Sequence, residues 1–371
     1  MIPRHWFLRS FIIALILTWV PTLVGQAARG APGSPEFGYG VYFDLQGNLF
    51  NESLDTASNL GFDWIAINVP WSSLYPDPGA SPDWSRYDAF MAYAAERQIA
   101  VLASVSAPPS WALTPQGPDA NQSLQFILSF VQRYPGALQA IELFPGANTS
   151  QGWGSTPDPA AYANVFLTVQ NGIAQSGSPV FLVAAGLKPG LSSPDSSTIN
   201  DLDFLQGLYN AGLQSTMPVI SVQMADLTGE PLRAPDSSEP RVLRHYEQVR
   251  QVMLANQHES GLIWITQLCP PSGTISSNDF QYQENNAKVN WLSQAYTQIR
   301  AQLYIGAAFF VSLNPGQLQD SIAPRESLVQ EGLNYHPFYN TLRDLIAQNA
   351  PQGFLTRQGR PKDSIVFQKP T

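Results

Sequence analysis

Residues 140–149 decide the fold, and they read Ala140-Ile141-Glu142-Leu143-Phe144-Pro145-Gly146-Ala147-Asn148-Thr149. The stretch begins as an apolar run that contains one carboxylate and ends in a Pro-Gly break. A polar turn and Trp153 follow. In a parallel α/β barrel, chemistry is carried out at the C-terminal ends of such buried strands. The stretch therefore predicts the central strand of a barrel, provided that similar strands flank it.

Seven further apolar runs flank this stretch, and each of the eight is followed by a helical pattern. The other strands are predicted at 37–44, 64–69, 99–105, 180–185, 218–224, 262–268 and 303–313. Helices are predicted at 51–60, 83–97, 123–134, 159–175, 202–213, 240–257, 286–300 and 337–348. Near-continuous apolar strands are expected where a parallel sheet is buried on both faces. Eight alternating units predict a single-domain α/β fold, a (β/α)₈ TIM barrel over residues 37–348.

The composition excludes some classes of partner. The chain of 371 residues has 19 Lys and Arg against 28 Asp and Glu, a net charge of −9. No face rich in Lys and Arg is visible in the sequence, which argues against binding to nucleic acid or to an anionic membrane surface. No His or Cys spacing typical of a metal site occurs, so we predict no metal and no cofactor.

The N-terminal residues 1–28 have the organisation of a secretory signal peptide. Arg4, His5 and Arg9 give a positive start, residues 11–20 are apolar, and Gly25-Gln26-Ala27 offers small residues for a signal peptidase. The pattern favours a cleaved signal peptide over an uncleaved anchor and predicts a secreted or envelope-associated protein. Residues 29–36 are predicted to be a short spacer, and residues 349–371 a polar tail.

Aromatic and amide side chains follow several of the predicted strands. The candidate binding residues are Trp71, Trp111, Asn148, Trp153, Gln223 and Gln267. Flat aromatic faces and amides suit sugar rings, which present C–H faces and hydroxyl groups. Any single Trp could equally belong to the core, but three that follow strand ends favour carbohydrate binding.

Several of these segments resemble motifs of one enzyme group. Residues 141–148 resemble the fourth-strand motif E-I-W-N-E-P-N of clan A glycoside hydrolases, and Leu262-Ile263-Trp264-Ile265-Thr266-Gln267 resembles their seventh-strand motif W-I-T-E. Residues 84–88, 108–112, 130–135, 158–162 and 336–339 continue the likeness in the same order. The xylosidase, iduronidase and cellulase-like members look most similar.

The resemblance also shows where this chain departs from the family. Clan members use a Glu at the end of strand four as acid/base and a Glu at the end of strand seven as nucleophile. Those positions align here with Gly146 and Gln267. Gly has no side chain to carry a proton, and an amide cannot form a glycosyl ester. The resemblance thus implies a carbohydrate-binding barrel without hydrolytic activity.

Two alternatives stay open at this point. The chain could be an active glycosidase that uses relocated carboxylates, for which Asp44, Glu142 and Asp226 are the candidates. Glu142 is the weakest of the three, because its position in the strand predicts a buried, hydrogen-bonded group below the site. Alternatively, the barrel could be a structural or assembly protein of the cell envelope that binds a protein partner.

Overall fold

The computed structural model describes residues 27–225, 227–271, 280–315, 327–330, 332 and 334–348. Three of the sequence predictions fall wholly or mainly outside these residues. They are the signal peptide of residues 1–28, the candidate catalytic carboxylate Asp226, and the polar tail after residue 348. Of the signal peptide, only residues 27 and 28 are described.

Eight parallel strands close into a barrel, which confirms the predicted fold. They are β1 (Gly38–Phe43), β2 (Trp64–Pro70), β3 (Ala100–Ser106), β4 (Leu138–Leu143), β5 (Phe181–Leu187), β6 (Val219–Gln223), β7 (Leu262–Leu268) and β8 (Ile305–Phe310). Each strand pairs with its neighbours in sequence, and β1 pairs with β8 to close the ring. Because all the strands are parallel, their C-terminal ends meet at one mouth.

A helix follows each strand. The eight are α1 (Phe50–Leu60), α2 (Ser85–Arg97), α3 (Ala120–Arg133), α4 (Pro159–Ser176), α5 (Asp201–Asn210), α6 (Tyr246–Ala255), α7 (Phe280–Arg300) and α8 (Phe338–Gln348). Short helical turns lie at Trp71–Leu74, Ser110–Ala112, Ser150–Trp153 and Leu243–His245. Two-residue strands pair Leu113–Thr114 with Gly117–Pro118, and Val329–Gln330 with Asn334–Tyr335.

Two helix starts differ from the sequence prediction for local reasons. Helix α3 begins at Ala120 because the Asp119 side chain accepts hydrogen bonds from two backbone N–H groups of the first turn. Helix α6 begins at Tyr246 instead of residue 240. The carbonyl of Arg241 accepts a 2.7 Å hydrogen bond from the N–H of Thr228, which holds this segment in a loop.

The lower half of the barrel interior is filled by aromatic side chains. Trp64, Trp264 and Phe309 are fully buried. The ring centroids of Trp64 and Trp264 lie 4.8 Å apart, and those of Trp264 and Phe309 lie 5.4 Å apart. The first pair is edge-to-face and the second is tilted, and aromatic pairs of this kind add to the stability gained from burial alone.

Residues 29–36 close the N-terminal end of the barrel. The carbonyl of Arg29 accepts a hydrogen bond from Trp64 Nε1 (2.6 Å), and the carbonyl of Gly30 accepts one from Trp264 Nε1 (2.8 Å). Gly30 has φ +79°, and a Cβ there would lie 2.4 Å from the carbonyl oxygen of Gly306, so only glycine fits. This segment, predicted to be a spacer, is instead part of the folded barrel.

Candidate functional site at the barrel mouth

Glu142 lies inside the barrel beneath the mouth and is fully buried. Its Oε2 accepts hydrogen bonds from Ser104 Oγ (2.6 Å) and the Tyr42 hydroxyl (3.3 Å), and its Oε1 accepts one from Thr266 Oγ1 (3.1 Å). Burial raises the pKa of Glu142, and hydrogen bonds from these hydroxyls and from Ser221 oppose that rise only in part. With no exposed surface, Glu142 cannot contact a ligand at the mouth.

A pocket of about 130 Å³ opens at the ends of β5, β6 and β7. It is lined by Lys188, Pro189, Gln223, Ala225, Leu227, Arg241 and Gln267. The structure thus brings together Gln223 and Gln267, two of the residues selected from the sequence. It adds two cations that the sequence analysis missed.

The described wall of this pocket is neutral-polar and cationic. It presents the amides of Gln223 and Gln267 and the positive charges of Lys188 and Arg241, and no carboxylate is among these lining residues. Asp226 lies between two lining residues in the sequence but outside the described residues. The described wall therefore holds no carboxyl group that could serve as the general acid or as the nucleophile.

Asn148 positions one of the two cations. It is fully buried. Its Oδ1 accepts from the N–H of Lys188 (2.9 Å), and its Nδ2 donates to the carbonyls of Lys188 (3.0 Å) and Ile199 (3.0 Å). The predicted contact between Asn148 and a sugar is corrected, because the buried side chain forms hydrogen bonds that hold the loop after β5 instead.

The tryptophans near the mouth are mostly core residues. Trp71 is 1% exposed and stacks on Phe126 with ring centroids 4.9 Å apart. Trp153 has no exposed surface, and its Nε1 donates to the carbonyl of Gln116 (2.8 Å). Neither ring presents a face to solvent, so their predicted role as sugar platforms is also corrected. Trp111 is partly exposed and packs edge-on against Trp71.

The two other sequence-selected positions, Gly146 and Asp44, do not line the pocket. Gly146 is buried, and its N–H donates to the carbonyl of Gly186 (2.8 Å). The Asp44 side chain is partly exposed, and its Oδ1 accepts a hydrogen bond from the N–H of Gln46 (2.8 Å). The positions aligned with the family's two catalytic Glu are therefore not both on the wall of one described pocket.

Backbone strain is concentrated at the mouth. Ala107 and Phe144 directly follow β3 and β4, and Ala185 and Gln267 lie in the last three residues of β5 and β7. All four have positive φ values between 49° and 70°. Non-glycine residues rarely adopt this conformation, and each such residue costs on the order of 1–3 kcal/mol. Such strain is common at binding and catalytic sites, and it marks the mouth as the part of the fold to test for function.

Replacing Gly146 with glutamate is expected to destabilise the protein by about 1–2 kcal/mol without creating an active site. Gly146 has φ +79°, and a Cβ there would lie 3.6 Å from Thr149 Oγ1 and 3.7 Å from Gly152 Cα. The new side chain would thus start towards the turn that follows β4. Urea denaturation and a hydrolysis assay of Gly146→Glu combined with Gln267→Glu check this.

Gly146→Asn is the matched variant, because asparagine tolerates the left-handed conformation better than glutamate. It should cost less stability than Gly146→Glu. Equal stability of both variants and the natural protein would show that the backbone at this position relaxes freely.

Comparisons with known proteins give the fold a wider context. A family 39 glycoside hydrolase from Bacteroides cellulosilyticus WH2 matches with a TM-score of 0.62 and 16% identity, over 84% of this chain and 63% of that one. Xylanase 10B from Thermotoga maritima matches with a TM-score of 0.59 and 12% identity, over 87% and 98%. The β-glycosidase BGL167 matches with a TM-score of 0.60 and 10% identity, over 86% and 98%.

These likenesses show that the chain shares the (β/α)₈ barrel fold of these glycoside hydrolases. The chain spans less than two thirds of the length of the family 39 protein. No family model matches the sequence, and no curated protein does.

In the described part of the chain, no helix is long and apolar enough to cross a membrane. No group of three or more His, Cys, Asp or Glu side chains there is placed to hold a metal ion.

Proposed function

We propose that this protein binds carbohydrate at the C-terminal mouth of its barrel and does not hydrolyse it. The observation that carries the proposal is the described wall of the pocket, which has two amides and two cations and no carboxylate. Amides pair with hydroxyl groups as both donors and acceptors, so Gln223 and Gln267 suit a sugar. Trp111, which is partly exposed, is retained as a candidate contact.

The absence of hydrolysis follows from what the reaction requires. Glycoside hydrolysis commonly uses two carboxyl groups on either side of the bond, about 5–9.5 Å apart. Loss of a general acid alone typically lowers the rate by about 10²–10⁴-fold, and an amide at the nucleophile position removes the covalent route. Gln267 occupies the pocket wall at the end of β7, where the family resemblance places the nucleophile.

The alternative of an active enzyme now depends on Asp226. Glu142 has no exposed surface, and Asp44 is not among the lining residues of the pocket. Added to the described wall, Asp226 would supply one carboxylate, which is short of the pair that glycoside hydrolysis commonly uses.

We also propose that the protein is exported. The support is the signal-like pattern of residues 1–28, and the site of action would then be the cell envelope or the exterior. A structural role in the envelope, with a protein partner at the barrel, is the alternative to carbohydrate binding.

Binding without turnover is the expected outcome of a glycan-array screen run in parallel with hydrolysis assays on the same polysaccharides. Gln223→Ala should weaken binding about 3- to 10-fold, since it removes one or two hydrogen bonds to the sugar. Gln251→Ala, on the exposed face of α6, is the matched control and should bind like the natural protein.

Three outcomes separate the hypotheses. Reducing-sugar release by the natural protein would overturn the proposal, and loss of that release in Asp226→Asn would identify an active enzyme. Absence of both binding and turnover would leave the envelope scaffold as the better account.

A further inference from the structure

We infer that Asp201 and His245 are positioning residues for the pocket at the mouth, because their buried contact ties together the two loops that carry most of its lining. This inference rests on the proposed function and adds the contact that keeps the sugar site in shape. Five of the seven described lining residues lie on these loops, Lys188 and Pro189 after β5, and Ala225, Leu227 and Arg241 after β6.

The pair lies where helices α5 and α6 begin. Asp201 is the first residue of α5, and His245 directly precedes α6. Nε2 of His245 lies 2.5 Å from Oδ2 of Asp201, and both residues are fully buried. The other ring nitrogen, Nδ1, lies 2.9 Å from Oε1 of Gln248. With a partner at each ring nitrogen the imidazole has one preferred orientation, and a buried polar network that is satisfied in this way makes the local structure rigid.

Asp201 also holds the loop after β5 beside the pocket. Its Oδ1 accepts a hydrogen bond from the N–H of Gly190 (3.3 Å), and Nδ2 of Asn200 donates to the carbonyl of Gly190 (2.9 Å). Gly190 directly follows the lining residue Pro189. The carboxylate of Asp201 thus contacts His245 through one oxygen and the backbone next to the pocket through the other.

His245 is connected to the loop after β6 through the chain itself. The lining residue Arg241 lies shortly before it, and Leu243 between them is buried. The N–H of Thr228 donates to the carbonyl of Arg241 (2.7 Å), which joins the two ends of this loop next to the lining residue Leu227. A shift of His245 would therefore move the part of the pocket wall that this loop supplies. A site whose shape is fixed before binding loses less free energy on binding, so the contact favours affinity.

A second buried histidine joins the same two units of the barrel at the opposite end. The hydroxyl of Tyr209, near the end of α5, lies 2.8 Å from Nδ1 of His258, which lies between α6 and β7. Both residues are buried. Because this contact is at the base of the barrel, its loss lowers stability without moving the mouth. It is the matched control for the contact between Asp201 and His245.

The experiment compares His245→Leu with His258→Leu in the full-length protein, since each replaces a buried imidazole by an apolar side chain of similar size. Hydrogen–deuterium exchange without sugar should be faster in residues 188–200 and 227–243 of His245→Leu, and unchanged there in His258→Leu. Binding is then measured on the glycan array and by calorimetry with xylohexaose and laminarihexaose. We expect His245→Leu to bind at least about tenfold more weakly, as it would if the pocket kept its shape in about one molecule in ten. His258→Leu should bind like the natural protein.

Two milder variants decide the matter if thermal unfolding shows that His245→Leu does not fold. Gln248→Ala removes only the partner of His245 Nδ1 and should weaken binding about 2- to 10-fold, with faster exchange in both loops. Asp201→Asn can still accept from the N–H of Gly190 and can donate to His245 Nε2, so it should retain most of the affinity. Gln248→Ala with the exchange and the binding of the natural protein would contradict the positioning role.

Failure of the inference is distinguishable from failure of the proposed function. If folded His245→Leu and His258→Leu show the same loop exchange and the same binding, the inference is overturned and carbohydrate binding stays in place. If the natural protein binds no glycan of the array and neither soluble probe, the proposed function is overturned, and positioning for a sugar with it. Faster loop exchange and weaker binding in His245→Leu alone support both.

Discussion

Replacing Trp264 with alanine is expected to lower the free energy of unfolding by about 3–5 kcal/mol. The side chain has no exposed surface, and its ring packs against Trp64, Phe181 and Phe309 inside the barrel. Its Nε1 also donates to the carbonyl of Gly30, which ties the N-terminal segment to the strands. The variant loses both the packing and that link, and urea denaturation followed by tryptophan fluorescence and circular dichroism measures the loss.

Two further variants make the result interpretable. Trp264→Phe keeps most of the ring but cannot donate to Gly30, so it should fall between the alanine variant and the natural protein. Leu303→Ala is the surface control, because Leu303 is 93% exposed and its removal should change stability by less than about 0.5 kcal/mol. A Trp264→Ala protein as stable as the Leu303 variant would mean that the barrel interior is not packed as described.

The sequence predicts the barrel well because buried parallel strands have a distinctive pattern. The apolar pattern predicts strand β7 at 262–268, and the strand spans Leu262–Leu268. The closing segment at residues 29–36 was missed because two Trp side chains hold its backbone carbonyls, and a pattern of apolar residues carries no information about such contacts. Its Ala, Gly and Pro content is equally typical of a linker.

The site is harder to predict than the fold. A residue near the C-terminal end of a strand can line the pocket, as Gln267 does, or pack in the core, as Trp71 does directly after β2. The sequence alone does not distinguish the two cases. Lys188 and Arg241 lie on loops whose paths depend on Asn148 and Thr228. The charge on Lys188, directly after the apolar run of β5, was the one available signal for its place at the mouth.

Replacing Glu142 with alanine is expected to destabilise the protein by about 2–5 kcal/mol, whereas Glu142→Gln should be tolerated. Alanine leaves the hydroxyls of Ser104, Tyr42 and Thr266 facing a buried cavity. Glutamine fills the same space, and those hydroxyls can accept from its NH₂ group as well as donate to its oxygen. Urea denaturation of both variants at pH 7 provides the comparison.

The pH dependence separates a buried acid from a catalytic one. Because the pKa of Glu142 in the folded protein is raised above its ordinary value of 4.5, the unfolded chain loses this proton first as the pH rises. Stability attributable to Glu142 is thus complete below about pH 4.5 and declines above it, by at most about 1.4 kcal/mol per pH unit, until the folded form also ionises. Glu142→Gln has no ionisable group at this position, so its stability should rise relative to that of the natural protein as the pH increases above 4.5. A stability difference that does not change with pH above 4.5 would contradict the raised pKa. Hydrolysis by the natural protein that Glu142→Gln abolishes would return Glu142 to the list of catalytic candidates, despite its burial.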